Sequence, residues 1–460
     1  MPDATDRRNV VFIISDQHQQ AATGCYGHPL VQTPNIDRLA EDGVRFTGAY
    51  CQSPLCAPSR ASLITGTHCH TCRAYSGRIK TPIRDLPTMG TAFRDAGYVT
   101  GSFGKVHVIG ETRDDRDLGF SERGLRYYTY GKEDYIRAVG AENALKYSPT
   151  KLGRDQPRAD WYNHENLPVD LDEELTFDAL VARRSVEFLE DHRDEPFFLW
   201  VGLEKPHPDW YAPKSFHDLY DPADVELPET MREEQPGLPE ISWKKLRQAH
   251  EYTDDDARRC MAAYFANVSY LDDNVGRVLA ALDRLDLRRN TIVIYTSDHG
   301  ELLLQHGLTQ KHCFYEPAVA VPLVIAGPDL PADETRGHIV GLIDLLPTML
   351  DLNGLAAPDT LEGESLHDVL DGSAPTDGRR AFSEFYSFGA SERMIRTPRW
   401  KYVLSHGRGR QLYDEAADPL ETSNLADAPD LSEVRDELEA RLLADWEPPD
   451  PDLIARPDLE

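Results

Sequence analysis

Short apolar runs separated by longer amphipathic segments dominate the first three quarters of the chain. The runs are rich in β-branched and aromatic residues and lie at 10–14, 98–103, 197–201, 291–295 and 321–325. Runs of this length and composition are typical of strands buried on both faces in a parallel sheet. Helices are predicted between them at 35–42, 179–191 and 257–283, the last ending near Leu285. The pattern therefore predicts an α/β fold with a doubly wound, mostly parallel sheet.

The pattern changes towards the C-terminus. Composition predicts a surface loop at 328–337 and a helix at 340–352. Alternating runs at 382–386, 393–395, 401–404 and 411–413 predict a smaller antiparallel sheet, and 431–446 predicts a closing helix. We therefore place an α/β domain at 1–375 and a small α+β subdomain at 376–460. The acidic, proline-rich tail at 447–460 is predicted to run extended, either disordered or against a neighbouring subunit, which leaves a homo-oligomer open.

Composition and charge narrow the classes of function. The chain has 460 residues, of which 40% are hydrophobic, enough to bury a large core. Its formal net charge of -30 at pH 7 opposes binding to nucleic-acid phosphates and anionic lipid headgroups. The first residues carry only a short apolar run, unlike a signal peptide, and no later run is long enough to span a membrane. We therefore predict a cytoplasmic protein that acts on neither nucleic acids nor membranes.

The cysteines predict a reduced protein. Their number, seven, is odd and small for this length, and their spacing is unlike that of a disulfide framework. Cys69 and Cys72 form a Cys-x-x-Cys pair flanked by His68 and His70. Because no second pair of ligands follows, packing thiols are favoured over a zinc site.

Two of the predicted strands end in similar polar segments. Asp16 and Gln17 follow the run at 10–14, and Asp298 and His299 follow the run at 291–295. Taken singly, each aspartate is better explained as the cap of a turn or helix. If both strands are central and parallel, however, all four side chains reach one crevice beyond the carboxyl edge of the sheet. Carboxylate and amide oxygens suit Ca²⁺, Mg²⁺ or Mn²⁺ better than zinc or copper.

A third segment carries a cysteine at the start of a predicted helix. Cys56 is followed by Pro58, which suits the first helical turn, and Gly66 suits the C-terminal stop. The N-terminus of a helix favours anions, and Arg60 adds a fixed cation one turn later. A lone cysteine beside a proline is ordinarily a buried structural thiol. Here the surrounding residues favour an anionic substrate.

Residues 54–66 resemble the signature of the sulfatases, Cys-x-Pro-Ser-Arg followed by Leu-x-Thr-Gly, at every position. In that family a maturation enzyme oxidises the cysteine to formylglycine. The resemblance continues at 33–46, 104–107, 205–208, 297–300, 412–414 and 418–425, and at Lys311. The chain thus resembles the formylglycine-dependent type I sulfatases over nearly its whole length, which implies an alkaline-phosphatase-like fold and a small anionic sulfate ester as substrate.

The resemblance implies a nucleophile and a metal. The hydrated aldehyde made from Cys56 would attack sulfur through one hydroxyl, and deprotonation of the other would release sulfate. Asp16, Gln17, Asp298 and His299 would hold one divalent metal together with residue 56. Calcium is the first expectation, with manganese and magnesium as alternatives.

The resemblance also implies roles for the remaining side chains. Arg60 would orient the diol, and His107 would accept its second proton. Lys105 and Lys311 would bind the sulfate oxygens, and His207 would protonate or polarise the leaving oxygen. For a single lysine, a solvated surface amine is the commoner explanation. A catalytically inactive sulfatase fold that only binds sulfated ligands would be expected to have lost some of these residues, and none is missing.

The leaving alcohol is not fixed by the sequence. Many sulfatases have aspartate where this chain has Gln17 and asparagine where it has His299. Gln17 and His299 instead resemble the branch of the family that contains choline sulfatases and phosphonate monoester hydrolases. Segments 104–110 and 264–272 resemble choline sulfatases, whereas the lysines and histidines also occur in carbohydrate sulfatases. The alternative function is that of a phosphonate monoester hydrolase or phosphodiesterase. Phosphonate monoester hydrolases carry hydroxyl-bearing residues in place of Lys105 and His107. Aromatic residues that could surround a quaternary ammonium, or simply pack an insertion, are Tyr127, Tyr128, Tyr130, Trp161 and Tyr162.

Overall fold

The computed structural model describes residues 7–75, 85–108, 117–125, 133–147, 163, 166–233, 252–387 and 390–450. Within them the larger sheet has eight strands: β1 Asn9–Asp16, β2 Val44–Tyr50, β3 Val99–Gly104, β4 Glu122–Gly124, β5 Phe197–Pro206, β6 Thr291–Ser297, β7 Leu323–Ala326 and β8 Glu334–Gly341. Their order across the sheet is β4-β3-β5-β1-β6-β7-β2-β8. Strand β7 is antiparallel to β6 and β2, and the other neighbours are parallel. A mostly parallel α/β sheet, as predicted, is confirmed.

The described helices lie between these strands and at the C-terminus. They are α1 Pro34–Glu41, α2 Cys56–Thr65, α3 Cys69–Cys72, α4 Met89–Asp95, α5 Glu133–Val139, α6 Ala141–Tyr147, α7 Phe177–Asp191, α8 Lys214–His217, α9 Asp254–Arg284, α10 Glu316–Val319, α11 Leu345–Leu352, α12 His367–Leu370 and α13 Ser432–Leu443. The predicted helices at 35–42, 179–191 and 257–283 correspond to α1, α7 and α9. No helix in the described part of the chain is long and apolar enough to cross a membrane.

Strand β1 shows why the apolar runs are continuous. Its side chains alternate between two buried layers, because helices cover both faces of the sheet. Phe12 stacks on Trp200 of β5 in one layer, with ring centroids 5.1 Å apart. Val11 and Ile13 lie in the other layer with residues of α7 and α9. A strand buried on both faces lies centrally, so β1 and its neighbours β5 and β6 carry the polar residues that follow them into the middle of the molecule.

Three features differ from the sequence prediction. The run at 321–325 does form a strand, but β7 is antiparallel, and burial of both faces leaves no trace of strand direction in the residue pattern. The loop prediction at 328–337 is wrong for its last residues, because β8 begins at Glu334. The first half of β8 is largely exposed and polar, so its composition resembles that of a loop. The helix predicted at 340–352 begins only at Leu345, since β8 extends to Gly341 and a single 3₁₀ turn follows.

The second sheet is formed by the C-terminal part of the chain. It contains β9 Ala381–Ser387, β10 Ala390–Arg396, β11 Trp400–Ser405 and β12 Gly409–Asp414, all antiparallel, and α13 packs against it. The predicted antiparallel sheet and closing helix are therefore confirmed, while the division at 375/376 stays a prediction. Glu384 of β9 contacts α3, with its carboxylate 2.7 Å from His70 Nδ1.

Candidate active site

The site lies at the carboxyl ends of β1 and β6, which pair in parallel with Ser15 opposite Ser297. This register places Asp16, the last residue of β1, beside Asp298, the residue after β6. The backbone N–H of Gln17 donates to Asp298 Oδ1 at 3.1 Å, and Gln17 has a φ of 68°, so the chain turns sharply here. Two neighbouring parallel strands therefore bring their terminal polar residues into one crevice, as the sequence predicted.

Helix α2 adds Cys56 to this crevice. The helix begins at Cys56 and is capped at its end by Gly66, which has a φ of 65°. The Cys56 Sγ lies 3.0 Å from His299 Nε2, 3.7 Å from Asp16 Oδ1 and 3.6 Å from Lys311 Nζ. Residue 56 thus lies at the positive end of a helix, against two of the residues predicted to bind a metal.

The predicted metal ligands form one buried cluster. Ligand atoms of Asp16, Cys56, Asp298 and His299 all lie within 4.8 Å of one another, and all four residues are buried. Gln17 is also buried, and its Oε1 accepts a hydrogen bond from Lys311. Two carboxylates, an amide oxygen and an imidazole form a donor set that fits a divalent cation such as Ca²⁺ or Mn²⁺.

Arg60 stabilises the acidic side of the cluster from within the protein. Its guanidinium is fully buried, and Nε donates to Asp298 Oδ2 at 2.6 Å. The other two nitrogens donate to the carbonyl oxygens of Lys105 at 2.9 Å and Ser15 at 3.0 Å. Arg60 Nη2 also lies 3.6 Å from Asp16 Oδ2. The arginine therefore fixes Asp298 and the ends of two strands. Its complete burial is tolerated because each of its three nitrogens donates a hydrogen bond.

The remaining predicted residues surround the same cluster. Lys105, directly after β3, donates to Asp16 Oδ2, and Lys311 donates to Gln17 Oε1. His107 interacts with the side chain of Cys56. His207 follows β5, and its Nδ1 lies 2.6 Å from Pro208 O, which makes Nδ1 the hydrogen-bearing nitrogen of the neutral ring.

Electrostatics in the cluster favour negative charge at residue 56. Burial raises the pKa of Cys56, but Lys311, Lys105 and His299 outweigh it and hold that pKa well below its usual value. Burial also raises the pKa of Asp16, yet Lys105 and nearby cations lower it overall. Burial and Lys105 lower the pKa of His107, which favours the neutral imidazole able to accept a proton.

One buried carboxylate in the site was missed by the sequence analysis. Glu301 lies three residues beyond Asp298, and its Oε2 accepts a hydrogen bond from Gln17 Nε2. Burial raises the pKa of Glu301 to about 7, against the lowering effect of the Gln17 hydrogen bond. The only signal in the sequence is proximity to Asp298, because no rule of spacing identifies which carboxylate near a ligand contacts another ligand.

The aromatic residues proposed for an ammonium site, Tyr127, Tyr128, Tyr130, Trp161 and Tyr162, lie outside the described residues. Cys69 and Cys72 are buried free thiols. The Cys69 Sγ lies 3.4 Å from Gln52 O, and the Cys72 Sγ lies 3.7 Å from Cys69 O.

Known proteins share this sequence pattern and this architecture. Choline-sulfatase of Rhizobium meliloti is 30% identical over 451 residues, covering 92% of this chain and 83% of the relative. Human iduronate 2-sulfatase is 33% identical over 415 residues, covering 80% and 72%. The crystal structure of the phosphonate monoester hydrolase of Agrobacterium radiobacter superposes with a TM-score of 0.82 at 25% identity, covering 95% of each chain. The architecture is thus the alkaline-phosphatase-like fold that the resemblance implied.

Family assignments cover both parts of the molecule. Residues 304–447 match the family described as N-sulphoglucosamine sulphohydrolase, C-terminal, which includes the second sheet. Residues 8–355 match the family described as Sulfatase, which includes every predicted site residue. The chain therefore belongs to the sulfatase family of enzymes, which hydrolyse sulfate esters.

Proposed function

We propose that this protein is a formylglycine-dependent sulfatase that hydrolyses a sulfate monoester into an alcohol and inorganic sulfate. The observation that carries the proposal is the position of Cys56 at the N-terminus of α2, within one buried cluster of metal-ligand types and cations. A structural thiol does not need this environment, because burial without such partners raises a cysteine pKa, as it does at Cys260.

A metal and a modified residue 56 would each supply one kind of chemistry. A divalent cation held by Asp16, Gln17, Asp298 and His299 would act as a Lewis acid on a sulfate oxygen and acidify the attacking hydroxyl. Formylglycine made from Cys56 would supply two hydroxyls after hydration, one to attack sulfur and one whose deprotonation releases sulfate. Together they would divide hydrolysis into a displacement at sulfur, which releases the alcohol, and an elimination at residue 56, which releases sulfate and regenerates the aldehyde.

The side chains of this protein would carry the proton and charge transfers. Lys105 and Lys311 bind the nonbridging sulfate oxygens, where negative charge shifts during the reaction. His207, in its protonated form, donates the proton on Nε2 to the leaving alcohol oxygen, and His107 accepts the proton of the second hydroxyl. Arg60 holds Asp298 and thereby orients the group at residue 56.

The proposed function is tested with a panel of substrates. Sulfate monoesters, phosphonate monoesters and phosphodiesters with matched leaving groups are assayed on protein shown by mass spectrometry to carry formylglycine. The expected result is a higher kcat/KM for at least one sulfate ester than for its matched phosphonate and diester. A phosphonate monoester hydrolysed faster than every matched sulfate would move the assignment to the phosphonate monoester hydrolases, a second candidate supported by the superposition with TM-score 0.82.

Lys105→Ala should distinguish these substrates further. A sulfate monoester offers three nonbridging oxygens, one of which is replaced by an ester group in a diester. Loss of a cation that binds this oxygen should cost about 2 to 4 kcal/mol in transition-state stabilisation on sulfates, and far less on diesters. Steady-state kinetics measures the difference between the two losses. Because Lys105 also contacts Asp16, metal content is determined on the same preparation, and equal losses on both substrates would contradict the assigned role.

Metal binding should depend on both strand-terminal aspartates. Asp16→Asn and Asp298→Asn are each expected to lower metal content and activity, because each removes a charged oxygen ligand. Elemental analysis of the purified variants measures the loss. Asp344→Asn is the control, since Asp344 is also buried but accepts from the N–H groups of Gly341 and Glu364. Full metal occupancy in either of the first two variants would show that the ligands are assigned wrongly.

The leaving alcohol belongs to one of two classes. Choline sulfate is supported by the relative named choline-sulfatase, and a sulfated carbohydrate by the relative named iduronate 2-sulfatase. Both esters present the same sulfate group to Lys105 and Lys311, so the described residues of the site do not separate them. The panel therefore includes choline sulfate and sulfated monosaccharides.

A further inference from the structure

The buried Glu301 carboxylate is surrounded by hydrogen-bond donors from two directions. Its Oε2 accepts from Gln17 Nε2, and its Oε1 accepts from the backbone N–H groups of Leu303 at 3.1 Å and Gln310 at 2.5 Å. These donors occupy both oxygens. A group in this environment must accept at both ends, which an ionised carboxylate does and a carboxamide does not.

Glu301 determines which end of the Gln17 amide faces the metal cluster. A glutamine amide presents an acceptor oxygen on one side and a donor nitrogen on the other. Because Glu301 accepts from Nε2, the Oε1 of Gln17 points to the opposite side, where it accepts from Lys311. Only this orientation offers an oxygen to a cation, since the reverse would present an NH₂ group to it.

The same carboxylate holds the segment that leads to Lys311. Gln310 is bound twice, through its N–H to Glu301 and through its carbonyl oxygen, which accepts from Leu302 N at 2.7 Å. The backbone of Glu301 is bound as well, because its carbonyl oxygen accepts from Gln19 Nε2 at 2.9 Å. Glu301 thus connects the segment after β1 with the segment that carries Lys311.

This arrangement accounts for a glutamine, rather than an acid, at position 17. A carboxylate there would face the carboxylate of Glu301 without a donor between them, at a fully buried position. Two adjacent buried carboxylates cannot both stay ionised without a large cost in free energy. The glutamine provides a ligand oxygen on one side and a donor for Glu301 on the other.

We propose that Glu301 is a positioning residue that orients the Gln17 amide with its oxygen towards the metal, and that Gln17 and Glu301 act as a matched pair. The inference rests on the proposed metal site and goes beyond its ligands. The pairing predicts that exchanging the two side chains preserves every interaction. In the exchanged protein, the amide at position 301 donates its NH₂ to the carboxylate at position 17. The oxygen of that amide still accepts from the N–H groups of Leu303 and Gln310.

The test is a double-mutant cycle on metal affinity. Glu301→Gln, Gln17→Glu and the double variant are freed of metal with a chelator, and Ca²⁺ and Mn²⁺ are titrated by calorimetry. Each single variant should bind the ions about 10- to 100-fold more weakly, the usual loss when a partner of a ligand is altered. The double variant should recover most of this loss, because the donor and acceptor are exchanged and the total charge is unchanged.

Controls separate orientation from general stability. Glu392→Gln alters another buried carboxylate, which accepts from Ser405 Oγ at 3.0 Å in the second sheet, and should leave metal affinity unchanged. Metal-free thermal unfolding is measured for every variant. If Glu301→Gln fails to fold, comparison of Gln17→Glu with the double variant decides the question.

The outcomes are distinguishable from failure of the metal site itself. Wild-type affinity in Glu301→Gln would overturn the positioning role. A double variant no better than the weaker single variant would overturn the pairing and leave Glu301 as a support for its loop. If the wild-type protein bound neither Ca²⁺ nor Mn²⁺, the proposed metal site would be refuted, and this inference with it.

Discussion

Cys56→Ala is expected to lower kcat by roughly five to six orders of magnitude, the scale of loss when a covalent nucleophile is removed. The variant keeps the cations and the metal ligands but has no group that can attack sulfur. Steady-state assays on a sulfate ester measure the loss. Cys260→Ala is the control, because that thiol is also buried but lies in α9, and it should retain activity.

Cys56→Ser makes the same prediction more specific. A serine hydroxyl in this position could displace the alcohol and accept the sulfo group, but it lacks the second hydroxyl whose deprotonation releases sulfate. We therefore expect at most one turnover, followed by a stable sulfated protein detectable by intact mass spectrometry. Fully active wild-type protein that contains only unmodified cysteine at position 56 would refute the formylglycine mechanism.

The site could be predicted from the sequence where strand ends determine it. Residues 10–14 and 291–295 are apolar on both faces, which predicts buried strands, and the terminal residues of two such strands meet at one edge if both strands are central and parallel. Register then brings Asp16 beside Asp298, with Ser15 opposite Ser297. Cys56 could be located as well, because Pro58 and Gly66 delimit its helix.

Other features depend on tertiary contacts that residue patterns do not encode. The direction of β7 is one example, since burial of both faces is the same in parallel and antiparallel pairing. Glu301 is another, because its role depends on the direction in which the Gln17 side chain leaves a backbone with positive φ. From sequence alone, a glutamate that follows Asp298 and His299 could equally lie in a solvated turn or make a buried contact.

A buried charge cluster joins the second sheet to the segment after Lys311 and was likewise invisible in the sequence. Lys401 of β11 is fully buried, and its Nζ lies 2.6 Å from Glu316 Oε1, 2.7 Å from Glu421 Oε1 and 3.4 Å from Glu415 Oε1. Arg396 lies 3.4 Å from the same Glu316 oxygen. Glu316 begins α10, five residues after Lys311, so this cluster fixes the end of a segment that enters the active site.

Lys401→Met should reduce the free energy of unfolding by about 3 to 5 kcal/mol, because three carboxylates would be left with one guanidinium in a buried site. Burial raises the pKa of Glu316, but Lys401 and Arg396 outweigh it and lower that pKa overall. Without Lys401 the folded-state pKa should rise above the unfolded value, so stability is lost as pH increases, and the deficit should be larger at pH 8 than at pH 5. Urea unfolding at both pH values measures it. Lys214→Met is the matched control, because Lys214 is exposed and pairs with Asp218 at 2.5 Å. This substitution should reduce the free energy of unfolding by about 0 to 1 kcal/mol. An equally small loss for Lys401→Met would contradict a stabilising role for the cluster.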